Sequence, residues 1–246
     1  ESLLAGEKSK FGFFNSEADT FKRIADELGL LPRFGCNGEM CYCRHPLVYI
    51  VEAADDICYQ VMDIEDAHKL RILGTDEVIE LFLSFFDEKR HDHMRRAMAH
   101  VDDPNEKIAY LRSCVIGTLV KQCAATFVKY DDEILRGHFV GSLLDHIDEP
   151  ERTGYANCSA KAWAKIYRAS DVVDVELAGN RIISFLMEKL IHAVMNPELN
   201  YSSLLLSKVP RQYDTAAPDL YGKIQAVLDH ISGMTDVYAL DLYRKL

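Results

Sequence analysis

Residues 46–63 contain no glycine, and no proline after Pro46. Within them Leu47, Ile50, Val51, Ala54, Ile57, Cys58 and Val61 recur at helical spacing. Pro46 suits a first helical turn, where a missing N–H costs nothing. The spacing predicts a helix over 46–68, apolar on most sides and therefore expected to be buried. Asp55, Tyr59 and Asp63 fall at i, i+4 and i+8, one above another on a single face, with Glu52, Asp56 and Asp66 beside that line. Carboxylates on a buried helix need a cation or hydrogen-bond donors to stay charged. The helix is read as one built to hold a metal or a polar substrate, against the plainer alternative of a solvated acidic face.

The rest of the chain repeats the helical pattern. Asn15 or Ser16 caps a helix to about Leu28, which Gly29 stops. Pro32, Gly35 and Gly38 mark a loop or one short hairpin near 31–44. Helices are expected over 75–86, through the charged stretch 87–100, and from Asp103-Pro104 to about 130, the last with Ile108, Leu111, Val115, Leu119, Cys123 and Phe127 facing inward. A shorter helix should follow Gly137 and run through Ile147, then a loop holding Pro150 and Gly154, then helices over 159–169 and 170–195. Residues 210–218 read as a connection, Pro218 or Asp219 as the start of a helix up to Ile231, and Thr235-Asp236 as the cap of the last one. Strand-like alternation of any length is missing outside 30–43, so the fold class expected is all-α.

A net charge of −11 argues against a surface devoted to non-specific duplex binding, so an anionic nucleotide would need a local basic pocket or a metal. No apolar run is read as reaching membrane-spanning length, and no membrane partner is expected. Cys58, Cys114 and Cys123 lie in apolar helical patterns and read as buried thiols of a reducing compartment, which suggests the cytoplasm. Cys36, Cys41, Cys43 and His45 form a Cys-x4-Cys-x-Cys-x-His cluster whose spacing is awkward for structural zinc. His91-Asp92-His93 sits in a polar helix, flanked by Lys89, Arg90, Arg95 and Arg96, and reads as a solvated face with single-stranded DNA or a regulatory nucleotide as the alternative contact. Trp163 reads as core. Arg168, Arg181 and Arg211 are candidates for a triphosphate, with nothing to single one out. No phosphate-cradling glycine loop, nucleophile elbow or dinucleotide fingerprint is present.

Arg44-His45-Pro46-Leu47-Val48-Tyr49, running into Glu52-Ala53-Ala54-Asp55-Asp56-Ile57-Cys58-Tyr59, resembles the last metal-ligand helix of deoxyguanosinetriphosphate triphosphohydrolases of the HD-domain superfamily. Lys10-Phe11-Gly12-Phe13-Phe14, Ser142-Leu143-Leu144-Asp145, Ser232-Gly233-Met234-Thr235-Asp236 and residues 238–244 agree with it, so the likeness spans the chain. It implies an HD-domain-like multi-helical bundle. It implies that Asp55 is a metal ligand, that Tyr59 packs against deoxyribose, and that Asp63 accepts a hydrogen bond from the 3′-hydroxyl. The same resemblance implies a first His and a His-Asp pair upstream of Asp55. Here His45 is the one histidine before Asp55, with no Asp after it, and His91-Asp92 comes too late in the order to serve.

The chain is accordingly read as the C-terminal portion of a longer enzyme, with residues 1–70 ending the catalytic core and 71–246 forming a helical lobe. By the resemblance, the parent hydrolyses dGTP or another dNTP to the deoxynucleoside and inorganic triphosphate. A divalent ion would supply Lewis-acid polarisation and a low-pKa water. Magnesium or manganese suits oxygen-rich ligation, and iron, nickel or cobalt would be permitted by His ligands. This chain alone is expected to be inactive. The partners expected are the missing N-terminal portion, the nucleotide and further copies in a homo-oligomer. The competing reading is a non-catalytic helical module that binds nucleotides or nucleic acid and supplies an oligomer interface.

Overall fold

The computed structural model describes residues 13–33 and 41–246, which fall into two compact units, Glu1–Tyr167 and Arg168–Leu246. In the first unit a 3-10 turn, Asn15–Glu17, leads into α1 (Ala18–Leu28), which Gly29 ends in the left-handed conformation at φ 65°. Residues 31–33 then run antiparallel to 41–43. The Cys43 amide donates to the Leu31 carbonyl at 2.7 Å and the Arg33 amide to the Cys41 carbonyl at 2.9 Å. The pairing is one bridge, Pro32 to Tyr42, so no strand forms among the described residues and the class is all-α.

Helix α2 (Pro46–Lys69) starts as expected. His45 is extended, its Nδ1 accepts the Leu47 amide at 3.2 Å, and Pro46 occupies the first turn. The buried stripe differs from the expected one. Tyr49, Ala53, Ile57, Val61, Ile64 and Ala67 are buried, whereas Leu47, Ile50, Val51, Ala54 and Cys58 are exposed. Where a helix is apolar on nearly every side, periodicity does not choose the face. Here polar cross-links accompany the choice. Buried Glu65 takes the Arg112 guanidinium at 2.5 Å, and Gln60 accepts the Ser159 hydroxyl at 2.8 Å.

Those partners lie on α5 (Pro104–Lys129) and α7 (Glu151–Lys161), which with α3 (Thr75–Leu83) enclose the core of this unit. Phe82, Phe85, Ile108, Leu111, Val115, Leu119 and Phe139 are fully buried in it. The expectation that no apolar run reaches membrane-spanning length is corrected by α5, which by length and composition could cross a membrane. The helix instead turns Ile108, Leu111, Val115 and Leu119 into the protein core, each 0% exposed. Three local expectations differ from the structure. Residues 137–147 form a 3-10 turn, Leu143–His146, rather than a helix, and the expected loop around Gly154 is helical. Gly154 enters α7 because of space: a Cβ there would stand 2.6 Å from Phe85 Cγ and 2.9 Å from Phe85 Cα. Beyond α7 the chain makes a π turn, Ala162–Ile166, where a helix over 159–169 was expected.

Between α3 and α5 lies α4 (Glu88–Met98), and α6 (Asp131–Leu135) follows α5. The second unit consists of α8 (Ser170–Met195), α9 (Asn200–Leu206), α10 (Leu220–Ser232) and α11 (Asp236–Lys245), with Leu190, Ala193, Val194, Leu205 and Val227 at its centre. Asp219 accepts the Gly222 amide at 2.7 Å and Thr235 the Tyr238 amide at 3.3 Å, so Asp219 caps α10 and the cap expected at Thr235 is used. Packing divides the chain after Tyr167. Residue 70, where the catalytic core was expected to end, lies inside the first unit, because α2 shares one apolar core with α3, α5 and α7.

Candidate functional site on helix α2

The cross-links of Gln60 and Glu65 leave the Asp55–Tyr59–Asp63 line on the open side of α2. Asp55 is exposed, the Tyr59 ring is 63% exposed, and Asp63 is half-buried. Asp56, one residue and about 100° further round, is half-buried. Its charge reaches Cys123 of α5 and Tyr155 of α7. Burial pushes the Cys123 thiol up to about 11 and Tyr155 up to about 12, and the Asp56 charge adds to both. The two neighbouring carboxylates thus face different surroundings. Glu52 is committed to Arg44 at 2.5 Å, and Asp66 to Lys69 at 3.2 Å.

Asp63 has a partner that local spacing does not reveal. Tyr167, after the π turn, donates its hydroxyl proton to Asp63 Oδ2 at 2.6 Å, across a separation of 104 residues. Burial first, and then this bond to a carboxylate, raise the Tyr167 pKa, so the hydroxyl remains a donor. Trp163 stands edge-on to Tyr167, with ring centroids 6.4 Å apart. It is 63% exposed, which corrects its expected place in the core. No local pattern announces Tyr167: its contact with α2 depends on how α7 crosses that helix.

The other candidates have structural occupations. His91 Nε2 lies 2.8 Å from the carbonyls of Leu83 and Phe86, so it carries the proton and caps the end of α3. Its ring is half-buried rather than solvated. Arg90 stacks on Phe86 at 4.6 Å, and Arg95 pairs with Glu80 at 2.6 Å. Arg181 donates to the Tyr243 hydroxyl at 3.1 Å. Of the thiols expected to be buried, Cys123 is buried, Cys114 half-buried and Cys58 exposed. In the cysteine cluster, Cys36 lies outside the described residues, Cys41 is disulfide-bonded, and His45 caps α2. An open cleft of about 520 Å³ lies away from the α2 line. Its charges are mutually compensated, since Lys161 and Lys165 hydrogen-bond Glu77 and lower its pKa to about 2.

The exposed Asp55 carboxylate offers one oxygen donor group on this face. Among the described residues, no group of three or more His, Cys, Asp or Glu side chains is close enough to hold a metal ion.

Comparison with known proteins decides the family. A family profile described as a phosphohydrolase-associated domain matches residues 157–245. A deoxyguanosinetriphosphate triphosphohydrolase-like protein of Synechocystis is 31% identical over 96% of this chain and 52% of its own length. One from Pseudomonas aeruginosa strain LESB58 is 30% identical over 99% of this chain and 55% of its own. The chain belongs to the deoxyguanosinetriphosphate triphosphohydrolase family. A Yersinia enterocolitica protein named deoxyguanosinetriphosphate triphosphohydrolase is 25% identical over 96% of the chain and 54% of its own length. As a member of this family of phosphohydrolases, the chain spans about half the length of the curated relatives it matches.

Proposed function

We propose that this chain is the C-terminal part of a cytoplasmic, metal-dependent dNTP triphosphohydrolase, and that the complete protein cleaves dGTP to deoxyguanosine and inorganic triphosphate. The observation that carries the reading is the open face of α2. It presents Asp55 and Tyr59 among the exposed apolar side chains Leu47, Ile50, Val51 and Met62, in a chain about half as long as its relatives. An apolar surface of this kind marks an interaction site. In the complete protein, the upstream part bearing the first His and the His-Asp pair covers it.

In this reading Asp55 gives one carboxylate to a divalent ion, magnesium or manganese by oxygen preference, and the upstream residues give the rest. Tyr59 lays its ring under the deoxyribose, where a 2′-hydroxyl would collide with it. Asp63 accepts the 3′-hydroxyl. The ring and the carboxylate together select and orient a deoxynucleotide.

Two results test this. Residues 1–246 alone, supplied with metal and dGTP, are expected to release no triphosphate, because one carboxylate does not replace a ligand set. Measurable release would overturn the reading and return His91 and Asp92 to consideration. In the full-length protein, Asp63→Asn is expected to lose about 1.5–3 kcal/mol, the worth of a charged hydrogen bond, in kcat/KM for dGTP while retaining the metal. Unchanged steady-state kinetics would remove Asp63 from the site.

A further inference from the structure

We propose that Tyr167 is the positioning residue of the Asp63 carboxylate and, through it, sets how the site takes the 3′ end of a deoxynucleoside triphosphate; this rests on the role given to Asp63 above. The bond is short, 2.6 Å from the Tyr167 hydroxyl to Oδ2, as expected for a donor meeting an ionised carboxylate. A carboxylate is acceptor-only and has room for several donors. Tyr167 takes Oδ2, and among the described residues Oδ1 receives no hydrogen bond. One oxygen is held by the protein, and the other is left for a hydroxyl of the ligand.

The backbone is shaped for this contact. The Tyr167 amide donates to the Ala162 carbonyl, five residues back, at 3.0 Å. Such a wide turn adds a residue to the helical register and rotates the next residues by about 100° relative to a continued α-helix. That rotation accompanies the delivery of the phenol to α2. The surroundings suit a sugar rather than a core contact. Asp63 and Tyr167 are only half-buried, and Tyr59, one turn before Asp63, is 63% exposed and close enough to Tyr167 to raise its pKa further. Trp163, also 63% exposed, stands edge-on to Tyr167. Two exposed aromatic rings therefore accompany the phenol that holds this carboxylate.

The experiment compares kcat/KM for dGTP and for 2′,3′-dideoxy-GTP in the full-length protein and in Tyr167→Phe, Asp63→Asn and the double variant. Tyr167→Phe is expected to lose roughly tenfold on dGTP and much less on the analogue without a 3′-hydroxyl. In the Asp63→Asn background it should cost nothing more, since a residue acting through another has no separate effect once that other is gone. Because each ratio is taken within one preparation, any unfolded fraction cancels. Equal losses on both substrates, or losses that add in the double variant, overturn the proposal and leave Tyr167 a packing residue. If Asp63→Asn itself does not distinguish the two substrates, the role of Asp63 fails and this inference falls with it. If Asp63→Asn distinguishes them and Tyr167→Phe does not, only the inference fails.

Discussion

Asp55→Ala in the full-length protein is expected to abolish both metal retention and hydrolysis, whereas Asp56→Ala keeps the ion. The two side chains are adjacent in sequence but about 100° apart on α2. Asp55 is exposed on the side that carries Tyr59, and Asp56 lies half-buried on the side of Cys123 and Tyr155. Residues that merely support a metal ligand typically cost about 10–100-fold in affinity or activity, so removal of the ligand itself should exceed that. Metal stoichiometry of the purified variants, measured beside their dGTP turnover, checks the prediction. Removing Asp56 should also let the Cys123 and Tyr155 pKa values fall, because its charge adds to the burial that raises both. If Asp56→Ala loses the ion and Asp55→Ala keeps it, the register assigned to α2 is wrong, and the roles of Tyr59 and Asp63 go with it.

The largest stability effect is expected at Gly154. An added Cβ would meet Phe85 at Cγ, Cδ2 and Cα, at 2.6, 2.8 and 2.9 Å. The ring is fully buried and the Cα is backbone, so neither can step aside without moving α7 from α3. Gly154→Ala should therefore cost about 1–3 kcal/mol through overpacking, despite the better helix propensity of alanine. Gly117 of α5 is the control. It is exposed and helical, with nothing within 4 Å of its added Cβ, so Gly117→Ala should stabilise by about 0.5–1 kcal/mol. Urea unfolding of both variants, compared at equal m, checks the pair. A neutral Gly154→Ala would mean that α7 can shift away from Phe85.

Much of the helical architecture was legible because local chemistry dictates it. Pro46, Asp103-Pro104, Gly29, Asp219 and Thr235 each start or stop a helix through their own backbone or side chain, and each does so in the structure. The i, i+4, i+8 spacing alone put Asp55, Tyr59 and Asp63 on one face of α2. Tertiary structure decided which face that was. Leu47, Ile50, Val51 and Cys58 are as apolar as Tyr49, Ala53 and Ile64, so burial is set by where α5 and α7 lie and where Arg112 and Ser159 meet Glu65 and Gln60. The same holds for the π turn, for Gly154 under Phe85, and for Tyr167 against Asp63. These depend on contacts between segments up to 104 residues apart, and periodicity within one segment carries no information about them. Sequence by itself determined most of the helices and the order of groups along them. Packing determined which of those groups are buried, which face outward, and which distant side chain holds Asp63.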